Sequence, residues 1–230
     1  DSSTSRGLGD VYKRQRNISG RVDISNDGPE GTIDQQRLPL RLMRGQLGGS
    51  LDALQVSDVL MDFGAAGRFT GTGGVRREND EEGLGTARFT LHTDRFDLKG
   101  IHSAMKPTSI RGDIGVTNAG NTQTLQANLA DKTLRLAAQA TLENNVVTVR
   151  EARLSSGGSR VDVSGSMQLL EDKAFKASAT ASRFNPADFG DFPQADINAG
   201  VNVAGALAPA WRVDADFAVR RSRLLDQALS

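Results

Sequence analysis

Residues 134–142 read Leu134-Arg135-Leu136-Ala137-Ala138-Gln139-Ala140-Thr141-Leu142. Leu134, Leu136, Ala138, Ala140 and Leu142 fall on every second position, and Arg135, Gln139 and Thr141 fall between them. Successive side chains on a β-strand point to opposite faces, so this stretch predicts a strand with one apolar and one wet face.

The same period of two recurs downstream. Val161, Val163, Gly165, Met167 and Leu169 alternate with Arg160, Asp162, Ser164, Ser166 and Gln168. Phe175, Ala177, Ala179 and Ala181 alternate with Lys176, Ser178, Thr180 and Ser182. Ile197, Ala199, Val201 and Val203 follow the same rule, as do Trp211, Val213, Ala215, Phe217 and Val219. Weaker copies lie at 38–43, 68–75, 87–91, 109–116 and 125–129. Asn144-Asn145, Ser156-Gly157-Gly158 and Gly73-Gly74 supply turns between antiparallel neighbours. Helix signals are few: Asn185-Pro186-Ala187-Asp188 predicts a cap and one short turn, which Gly190 and Pro193 stop. The expected fold is all-β, an elongated antiparallel sheet with few short helical turns.

The first fifteen residues stand apart. Ser5 to Gln15 reads SRGLGDVYKRQ, the translation of one arm of a transposon-based sequencing-library adapter. Residues 1–15 are therefore excluded from fold reasoning, and the remainder is expected to be an internal stretch of a longer protein. Two regions are expected, 16–125 and 126–230, the second continuing the sheet of the first. They repeat at about 90 residues. Thr86–Leu91 followed by Arg95-Phe96-Asp97-Leu98 parallels Lys176–Thr180 followed by Arg183-Phe184-Asn185-Pro186, and Leu40-Arg41-Leu42 parallels Leu134-Arg135-Leu136.

Composition excludes several functions. The chain holds 28 basic and 28 acidic residues; three of the former and two of the latter lie in the first fifteen, so the rest is about one unit negative. That balance gives no electrostatic reason to bind nucleic acid. With no cysteine, disulfides and thiolate metal sites are excluded. His92, on the polar side of its strand, and His102, in a loop, are the only histidines, and they are not spaced as metal ligands. Glu78-Asn79-Asp80-Glu81-Glu82-Gly83 lacks the alternating Asp frame of a calcium loop and reads as a solvated turn. Gly71-Thr72-Gly73-Gly74 lacks the Lys and helix of a phosphate loop and is also read as a turn. No nucleophile elbow is present. The chain is expected to be non-enzymatic and to need no cofactor.

The run 134–142, then Val146–Leu154, Gly157-Gly158-Ser159-Arg160, Val163-Ser164-Gly165-Ser166, Arg183–Gly190 and Gly205–Trp211 together resemble the TamB-type, AsmA-like family of bridge-like lipid transfer proteins. The resemblance covers most of residues 125–230 well and 16–124 loosely. It implies an open, taco-like groove with an apolar interior. It also implies a periplasmic location, an anchor in the inner membrane of a Gram-negative bacterium, and a role in moving phospholipid toward the outer membrane or in assembling outer-membrane proteins. Its implied partners are phospholipid acyl chains within the groove and, through other parts of the chain, a BamA-type outer-membrane barrel protein.

Periodicity alone leaves a closed two-sheet sandwich open as an alternative. Small residues at apolar positions (Ala177, Ala179, Ala181, Ala199, Ala215, Gly112, Gly165) and the lack of helices to cover the face favour an open groove. The candidate groove lining is Leu134, Leu136, Leu142, Val161, Val163, Met167, Phe175, Ala177, Ile197, Val201, Val203, Trp211, Val213 and Phe217. The alternative function is an adhesive or structural β-rich passenger segment without lipid cargo.

Overall fold

The computed structural model describes residues 17–50, 52–77, 85–224 and 227–229. The adapter-like residues 1–15 and the acidic stretch 78–83 lie outside these. The strands are β1 (Ile18–Ser25), β2 (Leu42–Gly49), β3 (Ala53–Asp62), β4 (Arg68–Arg76), β5 (Thr86–Phe96), β6 (Ile110–Ala119), β7 (Thr122–Ala130), β8 (Leu134–Glu143), β9 (Val146–Ser156), β10 (Ser159–Gln168), β11 (Ala174–Phe184), β12 (Ala195–Ala206), β13 (Arg212–Leu224) and β14 (Gln227–Leu229). They form one antiparallel sheet in strict chain order, β1 to β14. The sheet is not closed: β1 pairs only with β2, and β14 only with β13. The expected all-β meander is therefore observed as a single curled open sheet, and a two-sheet sandwich is ruled out.

Bulges bend it. Register shifts interrupt the pairing beside Asp58 (φ 51°), Arg183 (φ 47°) and Arg221 (φ 26°), and an extra residue on one strand sharpens its bend and twist. The tight turns follow their sequence signals. Asn144 and Asn145 both take positive φ, 48° and 61°, as a two-residue hairpin turn requires. Residues 157–158 also close β9 onto β10 in two residues, but with positive φ at Gly157 alone, 58°.

Several expectations are corrected. Gly71 to Gly74 is not a turn but the middle of β4. Gly73 is needed there because the ring of Phe89 lies over it; a Cβ would fall 2.0 Å from that ring. Residues 38–41 precede β2 rather than belonging to it. Trp211 stands just outside β13, which begins at Arg212.

The 90-residue repeat is a six-strand repeat in structure. β5, its bulge and the turn Leu98–Gly100 lead into β6 as β11, its bulge and the turn Pro186–Asp188 lead into β12. The caps correspond atom for atom. Asp97 accepts from the N–H of Lys99 and of Thr108, and Asn185 accepts from the N–H of Ala187 and of Ala195. The division at 125/126 falls inside β7, and strand pairing runs through it unbroken.

The apolar face and its two rims

Cross-strand register decides what the sheet offers. Partners directly opposite share a face, so one file of side chains can be followed from strand to strand. The central file is Val22, Gly45, Val59, Gly71, Leu91, Ile114, Ala127, Ala138, Ala152, Val163, Ala179, Val201 and Phe217. The next file runs Leu47, Val56, Gly73, Phe89, Val116, Leu125, Ala140, Val149, Gly165, Ala177, Val203 and Ala215. No polar side chain interrupts either file. The opposite face is polar: Thr117, Thr124, Thr141, Thr148 and Ser166 line up across β6 to β10.

Thirteen of the fourteen predicted lining residues share this apolar face. Val163, Val201 and Phe217 sit in the central file, Ala177 and Val203 in its neighbour, and Leu136 and Val161 one file further. Leu142, Met167, Phe175 and Val213 occupy the opposite flank. Trp211 lies beyond the strand end. The prediction missed the first half of the same face, from Val22 through Leu125. The signal was present in Ala87-Phe89-Leu91 and in Ile114-Val116, which alternate as clearly as the downstream strands do.

The two rims of the sheet differ. At one, which we call the loop rim, the connections 26–41, 97–109 and 185–194 are long and dock end to end. Ile33 N–H donates to Ile101 O at 2.9 Å. The carboxylate of Asp34 accepts from both the N–H (3.0 Å) and the hydroxyl (2.6 Å) of Ser103. Lys106 N–H donates to Phe189 O, and Asp191 N–H to Ala104 O, each at 2.8 Å. The donors on Ser103, hydroxyl first, hold the Asp34 carboxyl well below the usual carboxylate range.

These loops cover the end of the apolar face. Ile110, Leu134 and Phe189 are buried together, with Phe96, Leu98, Met105, Leu129, Leu154 and Phe184 packed around them. Phe63, Phe69 and Phe96 form a second aromatic group, with ring centroids 5.0–6.0 Å apart. Leu134 is thus corrected from open groove lining to covered core, and the cover that the chain lacks as helices is supplied by loops.

At the other rim, the turn rim, the described connections are short: 120–121, 144–145, 169–173 and 207–211. Away from the loop rim the apolar face is uncovered. Val163 remains 37% exposed, Leu125 39% and Phe217 76%. A second layer of protein would have buried them.

The polar face carries exposed ion pairs. His92 Nδ1 lies 2.7 Å from Asp113, and its Nε2 lies 3.1 Å from Asp94. These partners, Asp113 first, raise the imidazole above its ordinary value. Asp162 accepts from Arg160 and Arg153, which hold its carboxyl low. Such pairs order a solvated surface and contribute little stability. Among the described residues, no group of three or more His, Asp or Glu side chains could hold a metal ion.

Comparison of the chain with protein-family models, with curated proteins and with solved structures finds no match. The class defined by the geometry is therefore an architectural one: an open β-sheet with one continuous, largely uncovered apolar face.

Proposed function

We propose that this chain is a segment of a lipid conduit, holding phospholipid acyl chains against its apolar face and letting them pass from strand to strand along the stacking direction. The observation that carries the reading is the unbroken apolar file across β1 to β13, along which Val22, Val163 and Phe217 stay exposed. Each CH₂ of an acyl chain removed from water there is worth about 0.8 kcal/mol. That attraction is non-directional, so a lipid held by it can slide along a uniform face. Small side chains such as Ala138, Ala152, Ala179 and Gly165 leave room for the chain. The resemblance to the AsmA-like bridge proteins supports the same reading. On this reading the activity belongs to the periplasm of a Gram-negative bacterium, in a protein held at the inner membrane that serves outer-membrane biogenesis. The reading assigns the chain no catalytic step.

The test is native mass spectrometry, with lipid extraction, of the chain purified from bacterial periplasm. Phospholipid bound to the wild type and lost from Val201→Asp is the expected result. A lipid-free wild-type chain would contradict the proposal and favour an adhesive or structural passenger.

A further inference from the structure

We infer that phospholipid lies crosswise on the apolar face, acyl ends toward the loop rim and head groups along the turn rim. The inference rests on the lipid-carrying reading and fixes the orientation of the cargo.

Three observations point the same way. The loop rim is closed by the chain itself. Connections 97–109 and 185–194 run toward each other over the ends of β7–β10 and meet at the bridge between Met105 and Gly190. What they press onto the apolar face there is Leu98, Met105 and Phe189. A phosphate driven under this cover would lose its water among these apolar side chains, which is costly for a charge.

The turn rim differs in chemistry. The file next to it carries Asn118 opposite Gln123, polar side chains at the open end of the face, whereas the polar side chains at its loop-rim end, Thr93, Ser156 and Ser159, are buried. Lys173 and Arg212 are exposed in or beside its connections, but Lys99, Lys106 and Lys132 are equally exposed at the loop rim, so cations do not separate the two rims. The turns 169–173 and 207–211 are joined there by the N–H groups of Leu207 and Ala208, which both donate to Asp172 O. Beside them Trp211 is 78% exposed. An exposed indole suits the level at which head group meets hydrocarbon.

The width also fits. From Leu136, at the edge of the cover, to Leu142, at the turn rim, is six residues of extended chain, roughly 20 Å. One leaflet of a bilayer's hydrocarbon is about 15 Å thick. An acyl chain can therefore lie along the strand direction, its end against the Leu129–Leu136–Leu154 file and its ester end beyond the turn rim. Successive lipids would pack side by side, and their heads would stay in water throughout transit.

The chain's single tryptophan is a built-in reporter. The full chain is incubated with phosphatidylcholine–phosphatidylglycerol vesicles bearing either a nitroxide on the choline head group or bromine at the acyl terminus. It is then separated from the vesicles, and its fluorescence is read. The double variant K132W/W211F moves the reporter to the exposed turn 131–133 on the loop rim. The head-group probe is expected to quench Trp211 several-fold more strongly than the relocated tryptophan, and the acyl-terminus probe to show the reverse order. Equal head-group quenching at the two positions, or stronger quenching at the loop rim, overturns the orientation while leaving lipid binding intact. No quenching by either probe at either position overturns both the orientation and the lipid-carrying reading.

Discussion

Leu125 and Leu134 are the same residue type on adjacent strands, and both point to the apolar face. Leu134, at the loop rim, is 6% exposed, whereas Leu125, nearer the turn rim, is 39% exposed. The strands treat them alike; the difference lies in what covers them. Docked loops reach Leu134 and complete a small core with Ile110 and Phe189. Leu125 lies between its cross-strand partners Val116 and Ala140, outside the group of residues packed around that core. Folding stability therefore comes from the backbone ladder and the covered rim, and the open middle is an apolar surface held ready for something other than this chain.

The contrast is broken most strongly by truncation under the cover. Phe189→Ala is expected to destabilise the chain by about 3–5 kcal/mol and Ile110→Ala by about 2–5 kcal/mol, as for well-packed core residues. Val163→Ala, on the open face, should cost less than about 1 kcal/mol. Denaturant melts of the three proteins check this, and equal costs would mean that the face is packed throughout.

Val201→Asp sharpens the comparison from the other side. Its cross-strand neighbours are only Ala179 and Phe217, so the aspartate can reach water and the β-type circular dichroism should persist. Bound phospholipid should fall below detection in lipid extracts. Loss of fold with loss of lipid would indicate that Val201 sits in a covered core.

A smaller effect is expected at the Asp34–Ser103 clasp. Because the folded carboxyl is held low, its contribution is complete above the ordinary value near 3.8 and is lost as pH falls below it. The protection of the Ser103 amide, measured against its intrinsic exchange rate, should fall in acid, and in Asp34→Asn it should be low at all pH values. The smallest effect belongs to the exposed His92. Its pKa is raised, so its pairing with Asp113 and Asp94 is present below the ordinary value of 6.5 and fades as pH rises through the folded one. His92→Gln should abolish that slight alkaline loss in a pH series of thermal melts.

Much of this was legible in the sequence because a period of two has one structural meaning. β8, β10, β11 and β12 could be placed within a few residues from alternation, and the Asn185 cap from its Pro and Asp. β1 shows the same alternation in Ile18, Gly20, Val22 and Ile24, but its glycine and its nearness to residues 1–15, which were set aside from fold reasoning, hid it. β3 was masked by its bulge at Asp58, which puts the alternation out of phase halfway along. Gly71–Gly74 misled for a physical reason: glycine marks turns, but it also marks places where an aromatic ring needs room, as Phe89 does here. The covered rim was not legible at all. Docking of loops far apart in sequence depends on single hydrogen bonds, such as Lys106 to Phe189, that leave no periodic trace.

The central claim is that the uncovered middle of the face is filled by lipid. Because the chain has no cysteine, single cysteines report on it cleanly. Val163→Cys on the apolar face and Thr180→Cys on the polar face would be labelled with a water-soluble maleimide, with and without added phospholipid. The account predicts that both react readily in the lipid-free protein and that phospholipid blocks the cysteine at 163 alone. Equal labelling of that position in the presence and absence of lipid, or no reaction there even in lipid-free protein, would contradict it.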